Sequence, residues 1–427
     1  MEADKKWYQL DNAAKIIPST AHGANTRVFR LSCVLYEPVE PALLQEALDQ
    51  MMEEEPFFAC CLKRGLFWYY LEESDIRPMV EEDILPPCSP LFFPGRRNLL
   101  FRVTYYKTRI NLEMFHVLAD GTGAYAFFRE MVARYLAKAH HLPDKGLKFT
   151  SAQEDRVGDA FSRYYEGKQK LDQLHSMERG KAYQLKGEMD KNMESHLVEG
   201  VVPASKFMEK AKEYGATAGV FSTSLYIKAI MEEMTVQELK KQQVVASVPV
   251  NLRQFFRSDT IRNFFGVINV SYSPSQDGTG LEDVVRKVKH SFALQLSEDK
   301  VAGTMNSYSA LEHIWAVKVV PIWVKDLVIS RIDHLAKTGV TGTVSNLGRI
   351  SMPPEFSPYI SYFSTFMTAY RQQVCACTFE DKMVFGEASP FTTHGVMRHM
   401  FRQMAQMGIP VSVSTNDYNM EEREGRE

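Results

Sequence analysis

The 427-residue chain lacks most of the features that would place a protein in a class at a glance. No apolar run reaches the roughly eighteen residues that a membrane-spanning helix needs. The opening MEADKKWYQLDNAAK is polar and charged, without the apolar stretch of a secretory signal. Basic excess is missing as well. Lys plus Arg number 50 against 53 Asp plus Glu, a formal net charge of −3, so nothing points to nucleic acid or an anionic membrane as partner. The six cysteines (Cys33, Cys60, Cys61, Cys88, Cys375, Cys377) form no CxxC pair and no zinc spacing, and read as free thiols in a reducing cytoplasm. Low-complexity segments and short repeats are absent.

What is there is an ordinary globular composition, 45% hydrophobic and 24% charged, in a chain too long for a single core. Two domains of mixed α/β content are therefore expected. VFRLSCVLY at 28–36 alternates as a strand does, and PALLQEALDQMMEEEP repeats apolar residues at helical spacing up to Pro56. LLFRVTYYKT and RINLEMFHVLAD form two strands joined tightly at Lys107–Arg109, and a long amphipathic helix starts after Gly121. Residues 140–200 carry many charges and little periodicity. They read as a solvated connector, with a boundary near residue 190. Beyond it, SKFMEKAKEYG reads as a helix with a serine cap and a glycine stop. QVVASVPVN is apolar on both faces, as a central strand is. Helices are expected over 306–335 and 394–407, strands near 339–346, 359–370, 372–379 and 382–387, and a frayed tail at NMEEREGRE. The 21 Met and 26 Phe suggest a large apolar interior or cavity.

His116, in MFHVLADGTG, is the residue with the most chemistry to offer. On a strand over 110–118 it shares a face with Ile110, Leu112 and Met114, which is where a satisfied core histidine would be found. Metal binding has little support, because HxxxD supplies two ligands and His394 and His399 do not share a helix face. The third reading is a catalytic base. The histidine ends a strand, Asp120–Gly121 breaks it, and a helix follows at once, the kind of place where open sheets put chemistry. Gly121 and Gly123 are expected to take backbone angles that other residues resist.

HVLADG resembles the HxxxDG motif of the coenzyme A-dependent acyltransferase superfamily, which includes chloramphenicol acetyltransferase and the condensation domains of peptide synthetases. Four further segments, in matching order and spacing, are similar to pieces of that superfamily: PALLQEALDQMMEEEPFF, VPVNLR at 248–253, RNFFGVINVSY at 262–272 and VSNLGRI at 344–350. The last is closest to the bacterial alcohol acetyltransferase-like branch. The chain departs from the pattern in two places. Phe115 stands where many condensation domains have a first histidine, and the DFGWG motif of the plant branch is missing.

The resemblance implies an α/β fold of two chloramphenicol acetyltransferase-like domains, 1–190 and 191–427, arranged as a V with a tunnel between them. It implies a cytoplasmic, monomeric acyltransferase with no tightly bound cofactor and no metal. The donor would be an acyl-CoA or an acyl carrier protein, the acceptor a small alcohol or amine. His116 would be the general base, while Asp120 would pair with Arg253 and, with Gly121, support the site. Ser345, Asn346 and Asn263 are candidates for the oxyanion site or the channel wall, although Ser345–Asn346 could equally be a simple bend and Asn263 a strand-start hydrogen-bonding residue. The alternative is a non-catalytic, condensation-like module that recognises an acyl thioester or carrier protein.

Overall fold

The structure, a computed structural model, describes residues 5–143, 152–165, 181–313 and 319–416. In the first part of the chain lie β1 (Trp7–Gln9), β2 (Val28–Leu35), α1 (Pro41–Glu54), β3 (Cys60–Arg64), β4 (Tyr69–Glu73), β5 (Val80–Glu82), β6 (Phe101–Tyr106), β7 (Arg109–Phe115) and α2 (Gly121–Ala139). After them come β8 (His196–Pro203), α3 (Ala204–Glu213), α4 (Ala218–Glu233), β9 (Val244–Asn251), β10 (Phe265–Tyr272), α5 (Leu281–Gln295), α6 (Glu298–His313) and α7 (Ile322–Ala336). The chain finishes with β11 (Gly342–Ile350), β12 (Ile360–Met367), β13 (Gln373–Phe379), β14 (Lys382–Ser389), α8 (Gly395–Gln406) and β15 (Ser412–Thr415). Several single-turn helices connect these elements.

Two large sheets organise the strands, and β1, β4 and β3 form a small third one. The five-stranded sheet has the order β12-β2-β7-β6-β5, the seven-stranded sheet β10-β9-β11-β13-β14-β8-β15. Each has its own apolar core. Leu31 and Cys33 of β2 and Leu112 and Met114 of β7 pack with Leu44, Leu48 and Met51 of α1 and with Phe127, Phe128 and Met131 of α2. The second core gathers Phe221, Leu225 and Ile230 of the all-round apolar α4 with Val284 and Val288 of α5, Met397 and Met400 of α8, and the buried side of β9 and β14. Much of the methionine and phenylalanine content thus fills these two cores.

The expected division at residue 190 is crossed by the chain. β12, from the second half, pairs antiparallel with β2 along Met367↔Phe29 to Ile360↔Leu35 and forms the edge of the N-terminal sheet. Local pattern identifies such a segment as a strand but carries no information about which sheet accepts it. The charged stretch before the boundary is also less solvated than its composition suggests. Residues 166–180 lie outside the described residues, but Tyr183 and Leu185 are buried in the second core, and Tyr183 N–H donates to Gln243. The NMEEREGRE tail and part of the expected 306–335 helical region also lie outside them.

One helix end differs from expectation in an instructive way. Ser205 is not the N-cap of α3. That helix begins after Pro203, and the Asp381 carboxylate, from the β13–β14 turn, accepts from Ser205 N–H at 2.7 Å and from its hydroxyl at 3.1 Å. The cap is supplied across space, which no local pattern can reveal. Gly215 does end α3 as expected, at φ +60°. On α7, the polar residues Lys325, Asp326 and Asp333 face the protein. Asp326 accepts from Ser19 and Tyr69, and Asp333 pairs with Arg27 and Lys337.

The face of the five-stranded sheet opposite α1 and α2 is polar and yet buried. Arg30 bridges Glu113 at 2.7 Å and Asp83 at 2.6 Å, Arg102 also holds Glu113, and Asn111 joins Ser32, Thr104 and Asp83. At the end of this seam Arg109 of β7 reaches the other sheet, clamping Glu199 of β8 at 3.0 and 3.1 Å, with the Tyr362 hydroxyl at 2.6 Å. Burial pushes the Glu199 carboxyl up, but Arg109 and Tyr362 outweigh it and hold the group below its ordinary value. Glu199→Ala leaves the partly covered Arg109 without a counter-charge and is expected to lower stability by less than the roughly 3–5 kcal/mol of a fully buried pair. Urea denaturation at neutral pH measures this. Because the folded-state value is depressed, the Glu199 contribution is present above the ordinary 4.5 and is lost as the pH falls below it.

Candidate functional site

β7 ends at Phe115, one residue before the histidine, so His116 is not on the strand face with Ile110, Leu112 and Met114. It begins a turn in which its N–H donates to Arg27 O at 3.0 Å and Leu118 N–H donates to Phe115 O at 3.0 Å. Release from the pleat leaves His116 partly accessible, while Val117, Leu118 and Ala119 behind it are fully buried. The rings of Phe29 and Phe265 flank the imidazole at 5.2 and 5.5 Å between centroids. Burial is the main influence on its acidity and lowers the pKa below the ordinary 6.5, against the opposing pull of Asp120 and Asn263.

Asn263 decides which ring nitrogen is free. Its Nδ2 donates to the backbone oxygen of His116 at 3.0 Å and to Asp11 Oδ2 at 3.1 Å. A carbonyl oxygen only accepts, so the amide nitrogen must face it, and Asn263 Oδ1 faces His116 Nδ1 at 2.8 Å. That oxygen also only accepts. Nδ1 therefore carries the hydrogen, and Nε2 keeps its lone pair. Asn263 has no exposed surface. Its amide oxygen faces the imidazole, and its amide nitrogen faces Asp11 and the His116 backbone. Asp11, unassigned in the sequence, completes the support. Its carboxylate, fully buried, accepts from Asn263 N–H at 3.3 Å and from Ala14 N–H at 2.8 Å, and Arg262 Nε lies 3.5 Å from Oδ2.

Asp120 faces away from this chemistry. As N-cap of α2 it accepts from Gly123 N–H at 3.0 Å, and Oδ2 accepts from Phe264 N–H at 2.9 Å. Arg253, in the turn after β9, grips it through Nη1 at 2.7 Å and Nη2 at 3.3 Å. The same guanidinium donates to the backbone oxygens of Thr260 and Arg262. It thereby fixes the loop that delivers Asn263.

Neither Gly121 nor Gly123 has a positive φ. The backbone-angle expectation is wrong, and contact is the reason for both. A Cβ on Gly123 would lie 1.8 Å from Ile261 O, a backbone atom, whereas on Gly121 it would meet only the end of the Leu347 side chain, at 2.6 Å. Leu347 brings VSNLG to the first turn of α2. Within that segment Asn346 Oδ1 accepts from Gly348 N–H at 2.8 Å, where Gly348 has φ +78° and the β11–β13 register shifts. Asn346 thus stabilises a bulge, and Ser345 pairs in register with Cys375. Among the described residues no group of three His, Cys, Asp or Glu is arranged to hold a metal ion, and no helix is long and apolar enough to cross a membrane.

No protein-family model matches the chain, and no curated protein matches it in sequence. Solved structures do match. One is F. graminearum TRI101 complexed with coenzyme A and T-2 mycotoxin, 10% identical, with a TM-score of 0.63 over 96% of this chain and 100% of that one. Another is TRI3 trichothecene 15-O-acetyltransferase from Fusarium sporotrichioides, at 9% identity and TM-score 0.61, covering 94% of both chains. A third is the first condensation domain of the calcium-dependent antibiotic synthetase with a substrate analogue, at 13% and 0.62, covering 94% of this chain and 95% of that one. The chain has the fold of acetyltransferases and condensation domains. The mixed α/β architecture inferred from HVLADG, VPVNLR and VSNLG is the one observed.

Asp120→Ala is expected to lower the melting temperature sharply, because it strands Arg253 at a cost of about 3–5 kcal/mol. Gly123→Ala is expected to lose about 1–3 kcal/mol more than Gly121→Ala, since backbone yields less readily than a leucine end. Thermal and urea unfolding of the three variants measure both effects.

Proposed function

We propose that the protein is an acyltransferase that moves an acyl group from a thioester, acyl-CoA or acyl carrier protein, to an alcohol or amine, with His116 as general base. The observation that carries this reading is the Asn263–His116 pair, which leaves Nε2 unprotonated on a partly accessible imidazole. A satisfied core histidine is closed off on both ring nitrogens, whereas here only Nδ1 is engaged and the ring stays partly accessible. Coenzyme A in the TRI101 complex, at the same fold, supports a CoA thioester as donor.

In this reading Nε2 takes the proton of the acceptor hydroxyl or amine as the acceptor atom attacks the thioester carbonyl. The carbonyl π pair moves to oxygen, the tetrahedral intermediate collapses, and the thiolate leaves with the proton from Nε2. Burial of the ring disfavours the imidazolium, so the proton returns readily to the leaving group. Ser345 is the proposed donor to the oxyanion. Its hydroxyl has no protein partner among the described residues, whereas Asn346 Oδ1 is engaged in the bulge. The two large sheets act as two related domains in a V, with donor and acceptor meeting at His116 in a tunnel between them. The acceptor class, oxygen or nitrogen, is to be read from a panel of both.

His116→Ala is expected to lower thiol release by about 10²–10⁴-fold, with an unchanged unfolding curve. Full activity in that variant, against pooled alcohols and amines, removes the assignment. The neutral imidazole is the active form and its pKa is lowered by burial. The acid limb of kcat/KM is therefore expected to have its midpoint below 6.5, with a flat profile above it. A midpoint above that value contradicts the assignment of the limb to His116.

A further inference from the structure

A second polar feature lies at the far end of the seven-stranded sheet. β9 runs from its start beside a cleft to Asn251, whose side chain donates to Thr122 next to Asp120. At a rise of ~3.3 Å per residue the strand spans about 25 Å, so the cleft is roughly that far from the His116 region. The cleft has a volume of about 950 Å³. It is walled by the chain from residue 181, the end of the helix Val236–Lys241, the end of β10 with the 273–277 turn after it, and Lys287 of α5.

Its lining is basic in a chain of net charge −3. Lys181, Lys186, Lys240, Lys241 and Lys287 line it, against Asp277 as the single lining carboxylate among the described residues. The remaining described walls are mostly glutamine and serine side chains, with no aromatic ring among them. Two of the five lysines are neutralised: Lys186 pairs with Glu238, and Lys287 with Asp277 at 3.3 Å. Among the described residues no carboxylate pairs with Lys181, Lys240 or Lys241. A helix C-terminus favours cations, which accounts for Lys240 and Lys241 in the last turn of their helix. It does not account for Lys181 and Lys287 arriving from other elements at the same cavity. Like charges around one cavity repel, and a bound polyanion removes that repulsion.

We infer that this cleft binds a multiply phosphorylated ligand. Several ammonium groups with hydroxyl and amide donors match closely spaced phosphates, and the lack of aromatic rings leaves nothing to select a base by stacking. The phosphates can belong to the nucleotide end of coenzyme A or to a free polyphosphate compound. The inference does not depend on the role of His116.

The test uses the full chain, inorganic triphosphate as probe, and isothermal titration calorimetry at low and high salt. Wild type is expected to show saturable one-to-one binding that weakens as salt screens the charges. The Lys240→Gln/Lys241→Gln variant is expected to bind at least about tenfold more weakly, the loss of two charge-assisted contacts. Lys206→Gln/Lys212→Gln, the same charge change on the exposed side of α3, is expected to bind like wild type. Absence of saturable binding in wild type, or an equal loss in both double variants, overturns the inference. Competition identifies the source. Displacement of triphosphate by coenzyme A assigns the cleft to the nucleotide end of the donor, and binding that coenzyme A leaves untouched assigns it to a separate phosphate compound.

Discussion

Asp120 and Arg253 meet at 2.7 Å with most of both side chains out of water, and they follow strands of different sheets. Asp120 caps the helix that follows β7, while Arg253 stands in the turn after β9. Removing either charge strands the other in a medium that cannot solvate it. The guanidinium also donates to the backbone oxygens of Thr260 and Arg262, so one ion pair sets both the distance between the sheets and the path of the 260–264 loop. Asn263 lies on that loop. The tautomer of His116 is thus the last consequence of a contact that never touches the imidazole.

Two other contacts make that arrangement stiff. Gly123 lets α2 touch the backbone of Ile261, with no room for a side chain between them. Away from the site, Arg109 and Glu199 tie β7 to β8 through a second buried ion pair. The first of these contacts holds the 260–264 loop, and with it Asn263, in place beside the His116 imidazole. Burial lowers the pKa of the His116 ring and favours its neutral form, while the turn after Phe115 leaves the ring partly accessible.

Most secondary structure was legible, because β2, β9, α2 and α4 announce themselves by period and by their breakers. The legible parts of the site were His116, Asp120 and Arg253, each inside a segment with a recognisable pattern. Asp11 was not, since it lies in a polar stretch with no pattern, and its importance comes from packing beside Asn263. Asn263 was visible as a residue but not as a partner of His116, because the two are 147 positions apart and meet only in the fold. The same holds for Asp381, which caps α3 from a distant turn, and for β12, which leaves its half of the chain to pair with β2.

By itself the sequence determined the kinds of elements, their order, the absence of a long apolar span, and which few polar residues stand at strand ends. Those properties are local, written in spacing and side-chain type. Tertiary structure alone decided that Gly123 serves close approach and not an unusual backbone angle, that Asn346 stabilises a bulge, and that Nε2 of His116 is the free nitrogen. The first and the last depend on atoms brought together from distant parts of the chain, and the bulge depends on how β11 pairs with β13; contacts of that kind have no counterpart in linear distance.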